Sequence, residues 1–229
     1  MKSILARGGI EFVAVLLGIT LSLFIDQKIE DSAKAKTESS LLSDLQVSLN
    51  QDIEYAHGVL QHLRASFEAQ EKLKVFPCKE VEDLSLEELA TLFKNVMRGS
   101  MSLFPRYGVY RSLVSNSEMK YIENQELKEK LIDLYDFQFK RYENVDPIIT
   151  SLYSYGLSIY LVEEFGYYQD KNFQFVERDM VINKDAFCQG TLKTEIMKLS
   201  SMTGTVYWML EGIVESMNTV NMLIDEELN

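Results

Sequence analysis

The chain has 229 residues, 46% of them hydrophobic and 25% charged, with a formal net charge of -12. This is globular composition for one or two domains and excludes a disordered chain. The acidic balance, without any cluster of Lys and Arg, excludes a phosphate-binding surface, so no nucleic-acid partner is expected. Only three prolines and eleven glycines punctuate the chain, which favours long helices over a many-turned β-sandwich.

The first element is apolar. No residue from Phe12 to Ile25 is charged, and from Ile4 to Ile25 only Arg7 and Glu11 interrupt the run. At about 1.5 Å per residue this helix is roughly 33 Å long, against a bilayer core of about 30 Å. Arg7 lies near one edge, where it can snorkel. The residues that follow, Asp26, Gln27 and then a charged helical pattern, lack the small-residue cleavage site of a removed signal. Residues 1–28 are therefore predicted to be a retained transmembrane anchor, and 29–229 a helical extracytoplasmic domain. Lys2 and Arg7 precede the span, and Lys28, Lys34 and Lys36 follow it, a near tie by the positive-inside count. The short leading tail favours a cytoplasmic N-terminus. The expected location is a bacterial inner membrane, single-pass, with the bulk of the chain in the periplasm.

Glu11 has two readings. Ala14, Gly18 and Ser22 form a small-xxx-small stripe, and on a helix Glu11 shares their face. Either Glu11 wets the helix start at headgroup level, or it is buried at a contact with another membrane helix or a second copy of the chain.

Beyond the span the apolar positions become periodic. Leu42, Leu45, Leu49, Ile53, Ala56, Leu60, Leu63 and Phe67 predict an amphipathic helix ending before Pro77. In the middle of the chain, "LSLEELATLFKNVMRG" predicts a short helix starting near Asp83 or Ser85 and stopping at Gly99. "PRYGVYRSLV" predicts another. "NQELKEKLIDLYDFQFKRYENVD" predicts a helix with Leu127, Leu131, Leu134 and Phe137 or Gln138 on one face, broken at Pro147. "PIITSLYSYGLSIYLVEEFG" then predicts a buried bundle helix, and a small hairpin is expected at Phe173–Phe175 and Val181–Ile182. At the C-terminal end, Leu192, Ile196, Leu199, Thr203, Val206, Leu210, Ile213, Met217, Val220 and Ile224 alternate steps of four and three. This is a heptad seam with one polar position, Thr203. Trp208, Met209 and Met202 are read as widening its apolar face, which favours a bundle.

The predicted fold is therefore all-α. The anchor continues into a stalk helix antiparallel to the C-terminal helix, and the shorter helices form a membrane-distal lobe. Cys78 follows the first long helix and Cys188 precedes the last, so an antiparallel pair brings them to one end. A disulfide between them and two separate thiols both fit the sequence, and their shared position favours the bond and an oxidising compartment.

No catalytic constellation is legible. His57 and His62 diverge by about 140° on a helix, which rules out an i, i+4 metal pair. The cysteines lack zinc spacing, and no nucleotide-binding or hydrolase motif occurs. No enzyme activity, cofactor or metal is expected.

Two stretches resemble a known family. "IEFVAVLLGITLSLFIDQKIED" carries Glu11 near its start and Gly18-Ile19 in its middle, and "YRSLVSNSEMKYIENQELKEKLIDLYD" carries Tyr110, Leu113, Asn124, Leu127, Leu131 and Tyr135. Together they resemble an uncharacterised family of bacterial single-span membrane proteins, common in marine and Bacteroidetes-type bacteria. Where that family shows Asn-Asn-Trp after the span, this chain has Asp26-Gln27-Lys28. The resemblance implies a membrane helix leading into a helical domain, and no known activity. The expected function is a membrane-anchored interaction or assembly module, self-associating or bound to other membrane-protein helices. The alternative is a membrane effector or pore-forming protein with a cytosolic sensor domain.

Overall fold

The computed structural model describes residues 2–169, 175–176 and 179–229, with side chains from Val15 to Tyr168 and from Asp179 onward. Two helices set the architecture. Helix α1 (Lys2–Val75) is continuous over 74 residues, a rod of roughly 110 Å. Helix α6 (Gly190–Leu228) returns antiparallel to it. The register is marked at both ends. Gln46 donates to Asp225 near one end of the pair, and Ser200 donates to Glu71 (2.6 Å) toward the other.

The two helices meet through matched heptads. On α6 the ten positions from Leu192 to Ile224 that alternate by four and three are all buried, Thr203 included. On α1 the buried positions include Leu42, Leu45, Leu49, Asp52, Ala56, Val59, Leu63, Ser66, Gln70 and Leu73, with Ser48 and Ala69 buried beside them. The seam positions from Leu42 to Leu73 alternate by three and four without a break, the repeat of a coiled coil. This corrects the stripe expected for α1. Ile53 and Leu60 lie half-buried beside the seam and Phe67 is 37% exposed, while their neighbours Asp52, Val59 and Ser66 face the core. The geometric repeat wins over local hydropathy because the polar positions find partners inside.

Between the long helices the chain adds α2 (Leu86–Met97), α3 (Gly108–Ser115) and a third long helix, α4, over residues 125–165. Helix α2 begins with a capping box. Ser85 Oγ accepts from Glu88 N–H, and the Glu88 carboxylate accepts from Ser85 N–H, which satisfies two orphan donors. Asn124 caps α4 through Leu127 N–H.

Helix α4 differs from its expected form in two ways. Pro147 does not break it: Pro147 sits inside Phe139–Ser151. Both Glu143, whose carbonyl loses its donor, and Pro147 are on the exposed side, where solvent can hydrate that group. It also contains two π-helical segments, Asp133–Gln138 and Leu152–Leu157. The wider turn shifts the buried face. Leu127, Leu131 and Leu134 are buried as a stripe, but it continues through Tyr135 and Phe139, and Phe137 is 59% exposed. Gly166, with φ of 66°, ends α4 in the left-handed conformation that suits glycine. A Cβ there would fall on the Asp179 carbonyl.

The hairpin lies elsewhere than expected, and Val181–Ile182 carries no strand. Strand β1 (Tyr168–Gln169) pairs antiparallel with β2 (Phe175–Val176), and Phe173 lies outside the described residues. Helix α5 (Lys184–Cys188), capped by Asn183, closes the far end. There Phe76 meets Phe187 edge-on, with ring centroids 5.5 Å apart.

The shorter elements do not form a lobe at one end. Glu123 N–H donates to Glu38 (2.7 Å) and Asn124 to Glu227 (2.7 Å), so the start of α4 lies beside the end of α6. At the opposite end Lys184 pairs with Glu82 (2.7 Å). The middle helices thus flank the long pair along its length. A 41-residue helix kept whole through Pro147 reaches both ends, which two shorter helices broken there would not.

Two carboxylates couple this packing to pH. Glu71 accepts from Lys74 (2.7 Å) and Ser200 (2.6 Å), and Asp136 accepts from Lys140 (2.6 Å) and Tyr110 (2.6 Å). These donors hold both groups below the ordinary carboxylate range. A carboxylate depressed in the folded state contributes stability that is full above its unfolded pKa and is lost as pH falls through the folded one. Thermal unfolding followed by circular dichroism is therefore expected to give a lower Tm at about pH 3 than at about pH 6. Replacing Lys74 and Lys140 with Met is expected to narrow that difference.

Candidate functional site

Three regions stand out: an exposed apolar arm, a buried polar node and an exposed tryptophan face. The arm is the part of α1 that precedes the bundle. Every residue from 15 to 36 is exposed. Val15, Leu17, Leu21 and Leu23 are each more than 60% exposed. Among the predicted membrane-helix contacts, Gly18 has open space around its missing Cβ and Ser22 is exposed. The side chains of Glu11 and Ala14 lie outside the described residues. No helix among the described residues is long and apolar enough to cross a membrane. The apolar run of 4–25 begins before the first described side chain.

The polar node sits in the middle of the bundle, where four segments meet. Ser66 and Gln70 come from α1, Thr203 from α6, Tyr153 from the second π segment of α4, and Gly99 from the turn after α2. Ser66 Oγ donates to the Val96 carbonyl (2.5 Å) and lies 3.0 Å from Tyr153 Oη. Gln70 Nε2 faces Ser66 Oγ (2.9 Å), Tyr153 Oη (2.8 Å) and Thr203 Oγ1 (3.2 Å). Tyr153 Oη is in turn 3.1 Å from Thr203 Oγ1. All four side chains are fully buried, and Gln70 Oε1 has no partner among the described residues. Burial raises the Tyr153 pKa, and the bonds from Ser66, Thr203 and Gln70 offset only part of this, so the phenol stays neutral. A Cβ on Gly99 would fall on the Tyr153 hydroxyl and 2.5 Å from Ser66 Oγ. The node locks the register of α1, α4 and α6 at one level, a role for which buried polar residues in helical seams are known.

A second buried polar residue lies about four turns nearer the arm. Asp52, fully buried, accepts from Arg106 N–H (2.8 Å) and Arg106 Nη1 (2.6 Å). It ties the segment before α3 to α1. Beside it Tyr135 stacks on Tyr110, with ring centroids 4.3 Å apart, and meets Phe139 edge-on. The Tyr135 hydroxyl is buried without a partner among the described residues, and burial raises its pKa, with the Asp52 charge adding to the effect.

Cys78 and Cys188 lie at the far end. The structure carries them as free thiols, not as the bridge expected from the sequence. The Cys188 thiol is nevertheless set against Cys78. Burial first, and then that contact, push its pKa up. Among the described residues no group of three or more His, Cys, Asp and Glu is placed to hold a metal ion.

The tryptophan face is on α6, opposite the seam. Trp208, read from sequence as part of the apolar face, is 71% exposed, while Met202 and Met209 are half-buried. Its position follows from the heptad: Trp208 sits two residues beyond Val206 and two before Leu210, where a helix side chain points away from the seam. Comparison with known protein families, curated proteins and solved structures finds no match.

Proposed function

We propose that this protein is a membrane-anchored helical interaction module. In this reading residues 1–28 hold it in a bacterial inner membrane, the bundle stands in the periplasm, and assembly with like or unlike membrane-protein chains is its work. The supporting observation is the arm. Eight large apolar side chains between Val15 and Ile25 stand in the open. Each is worth roughly 1.5–3 kcal/mol when buried. Lipid, or another helix within lipid, is the surrounding that recovers this. The family resemblance described from the sequence belongs to the same reading.

The far end of the bundle suits an oxidising compartment. A bridge between the two adjacent thiols there would close a loop of about 110 residues, a length for which it contributes up to several kcal/mol. The test is a C-terminal reporter that is active only after export, fused to the full chain. Activity, together with a Cys78–Cys188 bond in the exported protein, is the expected result. A reporter that stays inactive while a cytosolic one works would overturn the periplasmic placement.

A further inference from the structure

We infer that the outer face of α6 is a homodimer interface, in which two copies pair in parallel around Trp208. This rests on the assembly reading above and names its partner: a second copy of this chain. Trp208 stands between two grooves. One, of about 850 Å³, runs between α1 and α6 and is lined by His57, Leu60, Glu211, Glu215 and Met222. The other, of about 480 Å³, runs between α4 and α6 and is lined by Phe137, Gln138, Arg141 and Met209. Gly212, one turn after Trp208, lines both and leaves open space where its Cβ would be. Phe137 (59%), Trp208 (71%) and Met222 (54%) are exposed. Aromatic and Met side chains of this kind are enriched in interface cores, and a Trp beside a hollow is the usual form of a hot spot.

Size and charge point to a second copy. From Met197 to Met222 the face is about 38 Å long and two helix diameters wide, roughly 800 Å², close to the area per partner of a stable interface, about 800 Å². The two flanks differ in charge. Arg141 lines the α4 side, and Glu211 and Glu215 line the α1 side. A two-fold axis parallel to α6 lays each copy's Arg141 flank over the other's Glu211 and Glu215 flank. A two-fold axis across α6 would lay carboxylates on carboxylates. The favoured pairing is therefore parallel. It places each indole beside the other copy's Gly212 step and sends both apolar arms out of the same end.

The test uses the full chain solubilised in detergent. Trp208 is the sole tryptophan, so its emission reports this surface alone. The wild type is expected to sediment as two chains, with blue-shifted emission that moves red on dilution. Gly212→Leu is expected to give one chain and red emission with unchanged helical circular dichroism. Arg141→Glu and Glu215→Arg are each expected to weaken pairing by about tenfold, and the double variant to restore it. A single chain at all concentrations overturns the inference. So does a complex that survives Gly212→Leu with red emission, which places the contact elsewhere, or one in which a different protein covers Trp208. Membrane retention is measured separately and is not expected to change in these variants, so failure of the dimer and failure of the anchor remain distinct.

Discussion

Gly99→Ala is expected to destabilise the bundle by about 2–3 kcal/mol, the upper range for overpacking a close-fitted interior. The added methyl falls on the Tyr153 hydroxyl and within 2.5 Å of Ser66 Oγ. Neither can retreat without breaking the bonds that hold Gln70 and Thr203. The cost is thus shared among α1, α4 and α6, and a shift of any one of them loosens the seam. Urea unfolding followed by circular dichroism measures it. Gly58→Ala serves as the contrast, because a Cβ there meets nothing within 4 Å. That change is expected to stabilise α1 by about 0.5–1 kcal/mol through helix propensity alone. Tyr153→Phe in the Gly99→Ala background removes the oxygen under the new methyl and is expected to recover part of the loss. Additive losses in that pair would contradict a shared node.

Asp52→Ala is expected to cost about 3 kcal/mol, the lower end for breaking a buried ion pair. The lower end applies because Arg106 is half exposed and can rehydrate its guanidinium, with 49% side-chain exposure. What cannot be rehydrated as easily is the Arg106 backbone N–H, which loses its acceptor in a part-buried place. Asp52→Asn keeps one acceptor oxygen and is expected to cost less than half as much. Equal losses for the two variants, again from urea unfolding, would show that the charge and not the backbone contact carries the effect.

The sequence reveals α6 almost completely, because its heptad positions are apolar apart from Thr203. It reveals α1 less well, for an informative reason. At Asp52, Ser66 and Gln70 the core positions of the repeat are polar, and the neighbouring Ile53 and Phe67 look like better core residues. Hydropathy therefore drifts off the seam at the very places where Arg106, Tyr153 and Thr203 supply partners. The unbroken three-four spacing from Leu42 to Leu73 was the available signal. The persistence of α4 through Pro147 was not legible, since it depends on the exposed side of the helix absorbing the missing donor. Nor were the π segments, which turn Tyr135 inward and Phe137 outward. Trp208 was visible as a residue but not as an exposed one. Its place beside Gly212 emerges only when α1 and α4 are set on either side of α6.

The anchor is the claim on which the rest of the functional account depends, and alkaline carbonate extraction of bacterial membranes containing the full chain tests it most directly. The anchored protein is expected to stay in the membrane pellet. Replacing Leu17, Leu21 and Phe24 with Asp is expected to release the protein while the bundle's circular dichroism and urea midpoint stay unchanged, because all three side chains are exposed. A wild-type chain recovered whole in the carbonate supernatant would contradict the anchor.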